Sequence, residues 1–108
     1  MTGRIRKSSG NVFADLGVKN PEEALVKARL AHVISDAIKT RGMTQVEAAE
    51  FLGIDQPKVS RLVRGQLDGF SIDRLFCFVT LLGSDIEITV IEPVRRTRRA
   101  GRMTIALA

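Results

Sequence analysis

The side chains best suited to chemistry with a ligand lie within twenty-two residues, TQVEAAEFLGIDQPKVSRLVRG, from Thr44 to Gly65. That chemistry is recognition. An amide such as that of Gln56 can bond adenine in a bidentate manner, and the donors of Lys58 and Arg61 suit the acceptor edge of guanine. Pro57 places a rigid apolar surface among them, of the kind that meets a thymine methyl. Arg64, Ser60, Gln45 and Thr44 carry donors of the type that bind phosphate oxygens.

Chemistry of other kinds finds no comparable grouping. The sequence has no phosphate-cradling glycine loop, no nucleophile elbow and no histidine–carboxylate constellation, so no enzyme is expected. His32 is the single histidine and Cys77 the single cysteine. His32 reads as a surface residue of a helix, and Cys77 as a packed residue of an apolar one. Neither has partners at metal-ligand spacing, so no metal and no cofactor are expected. Asp73 and Asp85 stand at element starts, where capping and turn roles suffice.

Four helices are expected to position the recognition set. The first begins at Asn20, a capping residue followed by Pro21 and, three positions on, by Glu23. Leu30, Ile34, Ala37 and Ile38 recur on it at helical spacing, Leu25 and Ala31 widen the stripe, and Arg41-Gly42 ends it. Thr44 and Glu47 form a capping box for a second helix that runs to Leu52 and stops at Gly53. Asp55 caps the third, which tolerates Pro57 in its first turn and closes at Gly65. Ser71 caps the fourth, with Ile72, Leu75, Phe76, Val79 and Leu82 as its apolar positions. The period then switches towards two over Ile86–Ile91 (IEITVI), which predicts a strand, and Met103–Leu107 (MTIAL) is a second candidate strand. The expected fold is therefore mainly α, with a C-terminal β-strand or hairpin.

Residues 44–65 meet the physical requirements of a helix-turn-helix, two short helices crossing steeply about a tight turn. Close contact needs a small residue, supplied by Ala49. The turn needs positive φ, which Gly53 adopts without steric cost. Ala48, Leu52, Ile54, Val59 and Leu62 stand at the offsets of an apolar inner face. This stretch resembles the DNA-binding core of the Cro/repressor (XRE-like) family, whose multi-helix, lambda-repressor-like domain the flanking helices also match. Over Asn11–Val90, with NVFADLG, MTQ, QPKVSRLVRG and FSIDRL, the chain resembles small HigA-type antitoxins, which are commonly produced with a RelE/HigB-like toxin ribonuclease.

The motif implies a division of labour. The second helix would cross the DNA backbone, with Thr44 and Gln45 at its start on phosphate. The third would lie in the major groove, with Gln56, Pro57, Lys58 and Arg61 facing base edges and Ser60 and Arg64 on phosphate. The resemblance implies the same role for Gln45. The plain alternatives are a helical hairpin without a ligand, solvated charges at Lys58 and Arg64, and simple polarity at Gln45.

The 108 residues carry a net charge of +5, unevenly spread. Residues 1–20 hold a balance of +3 and residues 93–108 one of +5, whereas 21–92 sum to −3. Arg95, Arg96, Arg98, Arg99 and Arg102 read equally as a solvated loop, as extra phosphate contacts or as a surface for an acidic partner. We expect three parts: a flexible basic segment 1–20, a DNA-binding domain 21–84 and a strand region 85–108 with its arginine-rich loop. No apolar run suits a membrane span or a secretory signal, and one cysteine fits a reducing compartment, so the cytoplasm and the nucleoid are the expected location.

One recognition helix covers about four base pairs, too few for a genomic site. A homodimer on a palindromic operator of double-stranded DNA is therefore expected, paired through Ile86–Ile91 or through the fourth helix. A toxin partner would be met by the N-terminal segment up to Val18. A phage-type repressor without a toxin partner is the alternative.

Overall fold

The computed structural model describes residues 21–95 and 98–107. The N-terminal segment up to Val18, expected to meet a toxin partner, and the Asn20 cap lie outside the described residues. Four helices follow one another: α1 Pro21–Thr40, α2 Gln45–Leu52, α3 Gln56–Val63 and α4 Ile72–Leu81. The chain divides into two compact units. One is Lys27–Ile88; the described part of the other is 21–26 with 89–95 and 98–107.

In α1 the buried side chains are Val26, Leu30, Ala31, Ile34 and Ile38, with Ile34 wholly inaccessible. Four of them recur every fourth residue and form one stripe. Leu25, expected to widen that stripe, is instead 57% exposed. One residue before Val26 it is turned about 100° around the helix, away from the stripe's centre line.

The capping box of α2 is complete. The Thr44 hydroxyl accepts from the Glu47 amide at 3.1 Å, and the Glu47 carboxylate accepts from the Thr44 amide at 2.8 Å. Helix α2 ends at Gly53, whose φ of 75° is the left-handed conformation that glycine adopts without penalty. The Ala49 carbonyl accepts from both the Gly53 and Ile54 amides, at 2.9 and 3.0 Å, which closes the turn within three residues. Asp55 then caps α3 by accepting from the Lys58 amide at 2.9 Å. Helices α2 and α3 pack directly on each other, burying Ala48, Ala49 and Leu52 from the first and Val59 and Leu62 from the second. Ile54, expected on the same inner face, is half-buried.

Helix α3 closes with paired bonds from Gly65 to the Leu62 carbonyl and from Gln66 to the Arg61 carbonyl. Such a termination requires a left-handed residue, here Gly65 at φ 78°. Ser71 caps α4 as expected, accepting from the Arg74 amide. Its buried face is Leu75, Phe78 and Val79, continued by Leu82 at its C-terminal cap. Cys77, expected to pack in this helix, is exposed. Two residues from Leu75 it falls on the opposite side of the helix, because only neighbours three and four apart share a face.

The C-terminal β-strand or hairpin expected over Ile86–Ile91 and Met103–Leu107 is not formed. Among the described residues there is no strand at all. A strand exists through its ladder of bonds to a neighbour, and neither segment takes the other as partner. Ile88, Val90 and Ile91 consequently stay 71, 78 and 86% exposed.

Candidate nucleic-acid interface

The surface built by α2 and α3 starts from the two buried residues of α3. With Val59 and Leu62 facing inwards, helical geometry turns Pro57 and Arg64 most directly outwards, with Ser60 and Arg61 on either side of them. Gln56, Pro57 and Arg64 are exposed, whereas Lys58, Ser60 and Arg61 are half-buried. The apolar face of α3 thus fixes which polar groups it presents.

Gln45 and Gln56 are brought together. The Gln56 side-chain amide donates to the Gln45 side-chain oxygen at 2.9 Å across eleven residues of sequence. The bond joins the start of α2 to the start of α3 and fixes the direction of the Gln56 amide plane. One Gln56 amide hydrogen and its carbonyl oxygen remain for a bidentate partner, and the Gln45 amide group remains as a donor. Reading each residue separately misses this pairing, because nothing local in the sequence couples positions 45 and 56.

Thr44 accepts with its hydroxyl oxygen within the capping box, which leaves the hydroxyl hydrogen to donate. The Glu47 carboxylate shares this end of α2, so any anion arriving there meets a negative group as well as the positive helix terminus.

Arg61 lies back on the loop after α3. Its guanidinium sits 5.7 Å from the centre of the Phe70 ring and donates to the Asp68 carbonyl at 3.4 Å. Phe70 is buried and meets Phe78 edge-on at 6.4 Å, and Arg74 lies over Phe78 at 5.7 Å. Sequence reasoning leaves Phe70 without a role, since it stands in a loop and outside any helical stripe. A cation–π contact contributes about 0.5–1 kcal/mol when exposed and about 2 kcal/mol when desolvated, within reach of the roughly 1–3 kcal/mol of a bidentate base contact. The Asp68 bond is long, so a base could displace it while the guanidinium stays stacked on the ring.

Arg41, at the end of α1, donates to the Leu82 carbonyl at 3.2 Å and lies 5.2 Å from the centre of the Phe51 ring. It ties the ends of three helices together. His32 is exposed and pairs with Asp36 at 3.2 Å on the surface of α1. Among the described residues no cluster of three or more histidine, cysteine, aspartate or glutamate side chains could hold a metal ion. No helix there is long and apolar enough to cross a membrane.

Two short helices locked by a glycine turn, the second presenting a polar face, define a helix-turn-helix protein of the class that regulates transcription by binding DNA. The chain belongs to the helix-turn-helix domain family, whose family model matches residues 12–91. It is similar to a solved protein described as a putative XRE-family transcriptional regulator, with 39% identity and a TM-score of 0.70 over 81% of this chain and 97% of the other. No curated protein matches it.

Proposed function

We propose that the chain is a sequence-specific transcriptional repressor, a homodimer on a palindromic operator, and the antitoxin and autoregulator of a toxin–antitoxin module. The observation that carries the first part is the Gln45–Gln56 bond, which holds the exposed Gln56 amide, a group suited to bidentate base contact, in the first turn of α3. In this reading Gln56, Pro57, Lys58 and Arg61 contact bases, and Thr44, Gln45, Ser60 and Arg64 contact phosphate. Repression follows from occupying the operator over a promoter and excluding polymerase, in the cytoplasm on the nucleoid. Support for the antitoxin role is the likeness of Asn11–Val90 to HigA-type antitoxins, which implies a RelE/HigB-like toxin as second partner.

Selection of binding sites from random double-stranded DNA tests the first part. The expected result is a palindrome with half-sites about 34 Å apart, or a multiple of that spacing. Recovery of no common sequence would overturn it. Co-purification with the product of the neighbouring gene tests the second. A stable complex that suppresses ribonuclease activity supports the antitoxin role, and failure to form one leaves a phage-type repressor.

A further inference from the structure

The segment Ile86–Ile91 alternates in a way that specifies its own partner. Ile86, Ile88 and Val90 fall on one face of an extended chain, and Glu87, Thr89 and Ile91 on the other. Within one copy it forms no ladder, and Ile88, Val90 and Ile91 are mostly exposed. A run of this kind with no lysine or proline inside it is an edge that invites pairing.

We infer that two copies of the chain pair antiparallel through this segment, with the two-fold axis passing through Ile88. In that register Ile88 opposes Ile88 of a second copy, and each Ile86 opposes a Val90. The six side chains of Ile86, Ile88 and Val90 from the two copies collect on one face, as directly opposed neighbours. On the other face each Glu87 opposes a Thr89.

Neighbouring registers are worse for stated reasons. Moving the axis to Glu87 sets two carboxylates directly against each other, and moving it to Thr89 sets both Glu87 against Ile91 and Glu92 against Ile86, where the Ile88 axis leaves only Asp85 against Ile91. An axis midway between two residues places the apolar face of one strand beside the Glu87 face of the other. Parallel in-register pairing stacks Glu87 on Glu87. Pro93 lacks an amide donor and ends the ladder at one side. The competing surface is weaker: α4 exposes Asp73, Arg74, Cys77 and Thr80, with Leu81 as its mostly apolar exception.

The inference deepens the proposed homodimer by naming its seam, and its use on an operator rests on that reading. A ribbon of two short strands is only marginally stable alone, so the dimer is expected to depend on concentration.

Cysteine trapping in the full chain tests the register. With Cys77→Ser removing the native thiol, Ile88→Cys places two thiols directly opposite each other. Opposed Cα atoms in a ladder lie about 4.5 or 5.5 Å apart, within the disulfide range of about 4.4–6.8 Å. Ile88→Cys should therefore give mostly covalent dimer on mild oxidation. Thr89→Cys in the same background, diagonal to its copy, should give at least several-fold less. Sedimentation at about 100 µM should show dimer for the unmodified chain, since association follows mass action. Ile88→Asp, which opposes two carboxylates, should give monomer with an unchanged helical circular dichroism spectrum, while Leu81→Asp should stay dimeric. Equal trapping at 88 and 89, a monomeric unmodified chain, or a dimer lost only with Leu81→Asp each overturns the seam. A trapped dimer that selects no operator sinks the repressor reading and leaves the seam standing. A palindrome bound by a dimer insensitive to Ile88→Asp does the reverse.

Discussion

Gln56 and Gln45 act as a pair, and their energetics should show it. Gln56→Ala removes a bidentate adenine contact and is expected to weaken operator binding by about 1–3 kcal/mol, with preference relaxed at one base pair. Gln45→Ala should cost part of the same amount, because it frees the Gln56 amide plane as well as removing a phosphate donor. The double variant should lose less than the two single losses added; a double-mutant cycle on the operator measures the difference. Strict additivity would show that the 2.9 Å bond does not survive on DNA. Arg61 and Arg64 should part company in another way. Arg61→Ala is expected to cost about 1–3 kcal/mol and to relax preference at one position. Arg64→Ala should weaken all sequences alike and make the salt slope shallower by about 0.9 for the phosphate it no longer neutralises. Titrations of operator and scrambled DNA at several salt concentrations separate the two. If Arg61→Ala left specificity intact, the stack on Phe70 would be its whole role.

The helices themselves make the presented surface possible, and two of their junctions carry most of the risk. Thr44→Ala breaks the capping box of α2 and should lower stability by about 1 kcal/mol, read in a denaturant titration as a shifted midpoint with an unchanged slope. Gly53→Ala has open space for its methyl, since no atom lies within 4 Å, so its loss comes from the left-handed φ of 75°. About 1–2 kcal/mol is expected; a neutral result would mean that the turn relaxes without parting α2 from α3. These junctions are legible in the sequence because each is written locally: Thr44 with Glu47, Asp55 ahead of Pro57, Gly53 after Leu52, Ser71 ahead of α4. The inner faces of α2 and α3 are legible for the same reason, through Ala48, Leu52, Val59 and Leu62. What depends on tertiary placement is not. Phe70 is buried from a loop, Cys77 turns outwards from an apolar helix, and Gln45 reaches Gln56 across the turn. The period-two pattern of Ile86–Ile91 is plain in the sequence, yet a ladder needs a second strand, which periodicity cannot supply.

At the scale of the whole chain, charge and recognition are in different places. Between Thr44 and Gly65 the cations Lys58, Arg61 and Arg64 are matched by Glu47, Glu50 and Asp55, so the stretch that would read bases is electrically neutral. Residues 21–92 together are acidic by three charges, whereas 93–108 carry five arginines and no acid. Affinity for a polyanion grows with the number of phosphates neutralised, and counterion release writes that number into the salt dependence. A neutral reading surface with a cationic tail therefore predicts that specificity and salt dependence separate on mutation. Replacing Arg95, Arg96, Arg98, Arg99 and Arg102 by glutamine should lower affinity for operator and non-operator DNA by similar factors. The slope of log affinity against log salt should flatten by about 0.9 for each phosphate left unneutralised, with the order of preferred sequences unchanged. An unchanged slope would instead assign the five arginines to solvent or to an acidic partner. Near-diffusion-limited association that slows steeply with added salt in the parent chain, and only weakly in the glutamine variant, would locate the steering field in the tail.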